Sequence, residues 1–290
     1  MKPYIGRFAP SPTGALHIGS LFAALISFLE AKSKGGEWHL RVEDADPSRC
    51  IKSMIKEIPQ TLEAFHLFWD GEIVLQSQQE AVYRSYLDYL QERHLVYPCS
   101  YSRKEWERKL RGEKVTLSSK ERKTTLRLRT FNRLIKFDDA IMGTYQTNLV
   151  EENSDFVLQR ADGSFSYQLA VVVDDAQLKV SDVVRGVDLI DSTPRQIYLQ
   201  EVLELPQVKY MHFPILVNNR GQKWSKQTYA PPLNLSKKRE TLLALLSLLK
   251  FSQPLPRAAT LPELLAWAQQ HWSQTCLPRQ KAVIINPFAI

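Results

Sequence analysis

The sequence predicts an α/β fold: a parallel sheet, interrupted by a small basic insertion and followed by a short helical tail. Three observations predict it. A strand–helix–strand unit opens the chain and carries polar residues at both strand ends. A strongly basic stretch occupies the middle. Two leucine-rich amphipathic segments close the chain. The expected organisation is one domain in two halves, residues 1–98 and 166–235, around an inserted subdomain at 99–165, with a helical C-terminal region at 236–290.

Tyr4–Ala9 reads as a short buried strand. Pro10-Ser11-Pro12-Thr13-Gly14 cannot continue it, because proline has no N–H for a strand ladder. A helix follows from Ile18 to Lys32, with Leu21, Phe22, Leu25, Phe28 and Leu29 on one face, and Gly35-Gly36 ends it. Trp38–Val42 is the second strand and runs into Glu43-Asp44-Ala45-Asp46-Pro47. In a parallel sheet, ligands bind beyond the C-terminal strand ends, near the topological switch point. Helices are expected at Ile51–Phe65 and Gln78–His94. The chain then turns basic, and becomes β-like at Thr124–Thr130. Asp155–Leu158 and Phe165–Tyr167 read as short strands around the Ala161-Asp162-Gly163 turn. Leu169–Val173 is apolar and buried, Lys179–Val184 a strand and Pro194–Leu203 a helix. Ser236–Leu249 and Leu261–His271 are the closing helices, and the tail from Pro278 to Ile290 carries no pattern.

At 290 residues the chain can build a full hydrophobic core. Its apolar and charged fractions are those of an ordinary globular protein. Leu169–Val173 and Leu242–Leu249 are too short to span a membrane, and the N-terminus lacks a secretory pattern. Cys50, Cys99 and Cys276 are odd in number and far apart, which argues against a disulfide framework and for a reducing compartment. A cytoplasmic location with no membrane contact is expected.

Charge is unevenly placed. Arg103 to Lys136 holds thirteen Lys or Arg and four Glu, a local net of +9 in a chain of net +7, so the remainder sums to −2. A basic segment on a nearly neutral body reads as a contact surface for a polyanion, nucleic acid above all.

Two separated motifs suggest a site that grips ATP from both ends. The first is Arg7-Phe8-Ala9-Pro10-Ser11-Pro12-Thr13-Gly14-Ala15-Leu16-His17-Ile18-Gly19-Ser20. A helix N-terminus offers N–H groups and a positive dipole end to phosphate. His17 can add a hydrogen bond as charge develops, and Gly19 leaves room for a flat ring. The second is Lys223-Trp224-Ser225-Lys226-Gln227, after the turn-rich Asn218-Asn219-Arg220-Gly221. Its two lysines suit a pentacovalent phosphate and departing pyrophosphate on a loop that closes over substrate. Either motif alone is weak, since single histidines and surface lysines are usually structural or solvated.

Arg7, Glu43, Tyr167 and Arg185 are the other candidates. Two arginines and one glutamate match a small zwitterion with two carboxylates and one ammonium, because Arg grips a carboxylate bidentately. Asp174-Asp175 is expected to act structurally, by capping and by holding the basic loop, rather than to bind metal; magnesium carried on phosphates needs few protein ligands.

Together these residues resemble a class I glutamyl-tRNA synthetase. The first motif resembles that family's HIGH element, with Ser20 at the last position, and Lys223–Gln227 resembles its KMSKS loop. Arg41-Val42-Glu43-Asp44-Ala45-Asp46-Pro47-Ser48-Arg49 is similar to the RIEDTDPxR stretch. Val173-Asp174-Asp175 resembles VDD. Arg185-Gly186-Val187-Asp188-Leu189 with Ser192-Thr193-Pro194-Arg195-Gln196 resembles RGxDLxxSTxRQ. The five blocks run in order from about residue 4 to residue 230. Only about sixty residues follow the Lys loop, too few for an anticodon-binding part. That brevity resembles the branch of the family that attaches glutamate to queuosine at the wobble position of tRNA(Asp).

The resemblance implies a Rossmann-like class I aminoacyl-tRNA synthetase catalytic domain acting on L-glutamate, with ATP and Mg2+ as substrate. By position, Arg7, Phe8, Ala9, Pro10, Ser11, Glu43, Tyr167 and Arg185 would bind glutamate. His17, Gly19 and Lys226 would meet ATP, and His17, Lys223 and Lys226 would assist adenylate formation. The partner implied is queuosine-bearing tRNA(Asp), held by residues 103–136, with the enzyme as a monomer. The family often carries a zinc site of Cys-x-Cys followed by Tyr-x-x-x-Cys. Here Cys99-Ser100-Tyr101 supplies one of those cysteines, so no zinc is expected. The alternatives are a compact enzyme charging tRNA(Glu), a nucleotidylyltransferase, and a catalytically silent tRNA-binding paralogue.

Overall fold

A computed structural model of the chain describes residues 3–115, 123–149, 155–225, 228 and 230–289. Strands β1 (Ile5–Phe8), β2 (Glu37–Val42) and β3 (Val74–Leu75) pair in parallel, with Ile5 opposite Glu37 and Arg41 opposite Val74. Helix α1 (Ile18–Ser33) makes the crossover from β1 to β2. Further along come α2 (Met54–Ala64), α3 (Glu80–Glu92), β4 (Val96–Cys99), α4 (Arg103–Leu110), β5 (Thr125–Leu128), β6 (Leu134–Asp139), β7 (Gly143–Asn148) and β8 (Phe156–Gln159). The second half holds α5 (Tyr167–Gln177), β9 (Asp182–Gly186), α6 (Thr193–Val202), β10 (Lys209–Phe213), β11 (Ile215–Val217), α7 (Lys238–Leu246), α8 (Leu261–His271) and β12 (Ala282–Ile284).

Strand β9 lies beside β1. Ile5 N–H donates to Ser181 Oγ and Ser181 N–H donates to Ile5 O, both at 2.9 Å. β10 pairs in parallel with β9 and with β6, and β7 closes that edge antiparallel to β6. The strands therefore run β3-β2-β1-β9-β10-β6-β7. The chain leaves β1 toward β2 and leaves β9 toward β10, in opposite directions. That reversal opens a crevice beyond the ends of β1 and β9, as a doubly wound sheet requires.

Strand alternation distributes side chains between two cores. Val184 and Met211 face a core with α1, α7 and α8, centred on Leu25, Trp38 and Leu264. Val183 and Tyr210 face a second core with α3, α5 and α6, centred on Tyr83, Leu169 and Leu199. Strands β4, β5 and β8 form a separate antiparallel sheet, with α4 in the connection between β4 and β5.

Three expectations are corrected. Phe165–Tyr167 is not a strand: Ser166 caps α5, accepting from Leu169 N–H, and Tyr167 is already helical. The basic stretch holds the unforeseen helix α4, whose Ser102–Glu105 capping box starts it. The tail is structured too, since β12 pairs in parallel with β11. Residues 116–122 of the basic segment lie outside the described residues.

Candidate active site

Each wall of the crevice comes from an element end. β1 delivers Arg7 and Phe8 and passes into Ala9-Pro10-Ser11; β2 leads to Glu43; β9 ends in Arg185-Gly186; α5 begins at Tyr167; α1 begins just after His17. Arg7, Phe8, Ala9, Pro10, Ser11, His17, Gly19, Glu43, Tyr167, Arg185 and Lys223 all line one cavity of about 830 Å³. The two distant motifs thus meet. Lys226 lies outside the described residues. Phe8 contributes mainly backbone, since its ring is buried and stacked on Trp38 with centroids 6.2 Å apart.

Beneath the cavity lies a buried ion network. Arg7 Nε donates to Asp175 Oδ1 at 3.0 Å and Arg7 Nη2 to Asp175 Oδ2 at 3.4 Å. Arg41 is fully buried and its Nη1 donates to Asp175 Oδ1 at 2.5 Å. Burial alone would raise the Asp175 pKa, but the two guanidinium groups outweigh it and hold the carboxyl below its ordinary value. Asp174 accepts from Gln76 Nε2 and Tyr83 Oη, both at 2.7 Å, and burial pushes its pKa up. The aspartate pair bonds to Arg7 and Arg41, not to the basic loop expected as its partner.

Glu43 takes the cavity edge of this network. Arg41 Nη2 stands 3.5 Å from Glu43 Oε1, and Ser11 Oγ donates to Oε2 at 3.4 Å. Burial raises the Glu43 carboxyl above its usual range, with Arg41 and Arg7 opposing. A carboxylate in that state gains most from an incoming cation.

Arg185 is held differently. Its Nε donates to His212 Nε2 at 3.0 Å and its Nη2 to Thr193 Oγ1 at 2.8 Å, while Nη1 reaches Tyr167 Oη at 3.5 Å. His212 is fully buried, with Nδ1 2.6 Å from Asp139 Oδ2. These partners fix the tautomer, with the proton on Nδ1 and the Nε2 lone pair toward Arg185. Burial lowers the His212 pKa and Arg185 lowers it further, against the pull of Asp139, so the ring stays neutral. Asp139 is itself fixed by the N–H groups of Ile141, Met142 and His212. The guanidinium is thus aimed by a histidine whose orientation a buried carboxylate sets.

His17 caps α1, and this revises one expectation. Its Nδ1 accepts from Gly19 N–H at 3.1 Å and from Ser20 N–H at 3.3 Å. Two of the helix N–H groups expected to meet phosphate are therefore spent on His17. With Nδ1 accepting, a neutral ring carries its proton on Nε2, the atom that can donate to a phosphate oxygen. A Cβ on Gly19 would lie 3.1 Å from both His17 Cε1 and the Trp224 carbonyl oxygen. Gly19 therefore permits the close meeting of the two motifs. Lys223 Nζ pairs with Asp188 Oδ2 at 2.5 Å. Trp224 is buried and donates from Nε1 to Ile285 O at 2.8 Å, so the tail anchors the Lys loop.

Residues 5–242 match the family described as tRNA synthetases class I (E and Q), catalytic domain. The chain belongs to that family. It is 45% identical to a glutamyl-Q tRNA(Asp) synthetase of Neisseria meningitidis serogroup B, over 95% of this chain and 98% of that one. It is 42% identical to the protein of the same name from Pseudomonas syringae pv. tomato, over 97% of each. A glutamate-tRNA synthetase of Elizabethkingia anophelis superposes with a TM-score of 0.81 at 20% identity, over 99% of this chain and 69% of that one, and shares the fold.

In this class I synthetase fold the described residues hold no group of three or more His, Cys, Asp or Glu suited to a metal. The residues present do not fit a zinc tetrahedron: Cys99 is buried at the end of β4, while Cys276 belongs to the core with α1 and α8. No helix among the described residues is long and apolar enough to cross a membrane. In the basic segment, Arg127 is buried, Arg108 and Arg111 pair with Glu113 at 2.7 and 2.8 Å, and Arg133 pairs with Glu201 at 3.1 Å.

The sequence reading missed His212, Asp139 and the anchoring use of Arg41. His212 sits in an apolar run, Tyr210-Met211-His212-Phe213, that reads only as a buried strand. A lone histidine inside such a run is the one signal it offered.

Proposed function

We propose that this synthetase activates L-glutamate with ATP and passes the glutamyl group to queuosine at the wobble position of tRNA(Asp). The observation that carries the reading is the single cavity in which Arg7, Arg185 and Glu43 face the same space as His17 and Lys223. The names of relatives similar over nearly the whole chain support the RNA substrate.

In the first step a glutamate α-carboxylate oxygen attacks the α-phosphorus of ATP, and the bond to pyrophosphate breaks. Arg7 and Arg185 meet the two carboxylates, with Tyr167 beside Arg185, and Glu43 meets the ammonium. His17 Nε2 and the Lys223–Lys226 loop stabilise charge on the phosphates, with magnesium carried by the nucleotide. Lys223 must leave Asp188 to do so, which makes that ion pair the resting position of the loop. The catalytic contribution is positioning and preorganised charge. In the second step a hydroxyl of the queuosine cyclopentenediol attacks the adenylate carbonyl, and AMP leaves. The three cysteines are free thiols, which suits a cytoplasmic enzyme.

The test is glutamate-dependent exchange of pyrophosphate into ATP, without tRNA. Exchange with L-glutamate and little with glutamine or aspartate is expected; no exchange with any amino acid overturns activation. Glutamate affinity should rise with pH through the elevated Glu43 pKa and level off above it, because an ammonium binds the ionised carboxylate. In Glu43→Gln the affinity should fall about tenfold to a hundredfold, roughly the worth of a charged hydrogen bond, and this rise should flatten. A pH profile unchanged by the substitution would remove Glu43 from the ammonium site.

A further inference from the structure

The inserted subdomain contains a second cavity, of about 880 Å³, walled by α4, β5, β8 and the start of α6. Ser166 lines this cavity and the next residue, Tyr167, lines the active site. Arg160, on its wall, lies 3.3 Å from Asp46, which pairs at 2.9 Å with Arg49 on the active-site wall. The two cavities are therefore neighbours across the N-terminus of α5.

Its lining is aromatic and cationic. Tyr101 and Trp106 lie with centroids 6.2 Å apart, and Trp106 is braced by the Arg127 guanidinium at 4.3 Å. Lys109 Nζ lies 4.6 Å from the Tyr101 ring centre and 5.5 Å from that of Trp106. Lys123 and Arg195 line the cavity and make no hydrogen bond or ion pair with described residues. The bordering carboxylates Glu105 and Asp155 are spent within the fold, on Ser102 N–H and on Tyr97 Oη and Thr130 N–H; Glu107 borders it as well. Trp106 Nε1 and Arg127 Nε are buried without an acceptor among the described residues. The wall thus has donors and cations to spare, next to flat rings. RNA offers the converse, acceptor-rich edges and phosphates around flat bases, and unstacked bases bind on aromatic and guanidinium planes.

We propose that this cavity holds the nucleotide next to the reacting one in the anticodon loop. Its base stacks on Trp106 and Tyr101, and Lys123 and Arg195 meet its phosphate. Lys109, displaced from over the rings, joins them. The inference rests on the RNA-transfer reading above and extends it from a basic surface to one nucleotide-sized site.

The experiment measures binding of the tRNA(Asp) anticodon stem-loop, intact or with one abasic nucleotide on either side of the reacting position. Full-length wild type, Trp106→Ala and Trp106→Phe are compared. Trp106→Ala should weaken binding about tenfold, the scale of one lost base–aromatic stack, and Trp106→Phe should recover most of it. The abasic penalty at one neighbouring position should disappear in Trp106→Ala, because the stack is already lost. Pyrophosphate exchange should stay at the wild-type level in both variants. Binding unchanged in Trp106→Ala, or abasic penalties identical in all three proteins, overturns the proposal. The binding readout needs no chemistry: a wild type that lacks exchange yet shows the Trp106 pattern would sink the glutamate reading and keep the site.

Discussion

Asp175→Ala is expected to destabilise the protein by about 3–5 kcal/mol, the scale for breaking a buried ion pair by removing one partner. Arg7 and Arg41 are both buried, and both bond to Asp175. Without it, the Arg7 guanidinium loses its only hydrogen-bonded partner among the described residues, and Arg41 keeps Asp174 and Glu43 at 3.5 Å. Urea unfolding would report the loss as a lower midpoint at unchanged slope. The sign of the pH dependence follows from the depressed Asp175 pKa. Its contribution is fully present above the unfolded aspartate value of about 3.9 and is lost as pH falls toward the lower folded value. An unfolding free energy that Asp175→Ala leaves within about 0.5 kcal/mol of wild type would show the network to be dispensable.

Arg185→Lys is expected to raise the glutamate KM about 30-fold to 1000-fold, equivalent to about 2–4 kcal/mol, with the fold retained. Lysine keeps the charge but cannot hold the His212 and Thr193 bonds while presenting a flat pair of donors to a carboxylate. His212 supplies the internal check. His212→Gln keeps a group able to accept from Arg185 but loses the ring geometry that Asp139 fixes. It should raise the glutamate KM several-fold while leaving kcat near wild type, the pattern of lost positioning. A His212→Gln enzyme with unaltered KM, or one that loses kcat and not KM, would contradict a positioning role.

Legibility in the sequence tracked how local each determinant is. Helix α8 is predicted with its observed bounds from its leucine-rich amphipathic pattern, and in the structure a Thr260–Glu263 capping box starts it. Most crevice residues were legible because they lie within short motifs, several at a strand end or helix start. The 165–167 stretch was misread because its aromatic alternation imitates a strand, and the Ser166 cap was overlooked. The β6–β7 hairpin escaped notice for a different reason. Its inward positions are Ile135, Phe137 and Asp139, and a carboxylate breaks the apolar alternation that marks a strand. Its side-chain partner within the core is His212, 73 positions away. Partnerships of this span, like Asp175 with Arg7 at a separation of 168, have no local pattern to read.

The most direct measurement is transfer of radiolabelled glutamate, with ATP, to bulk tRNA from cells that make queuosine and from cells that cannot. Label confined to the queuosine-containing pool is the expected result. Label on both pools would contradict it and point to ordinary charging of tRNA(Glu), and label on neither would remove RNA as the acceptor.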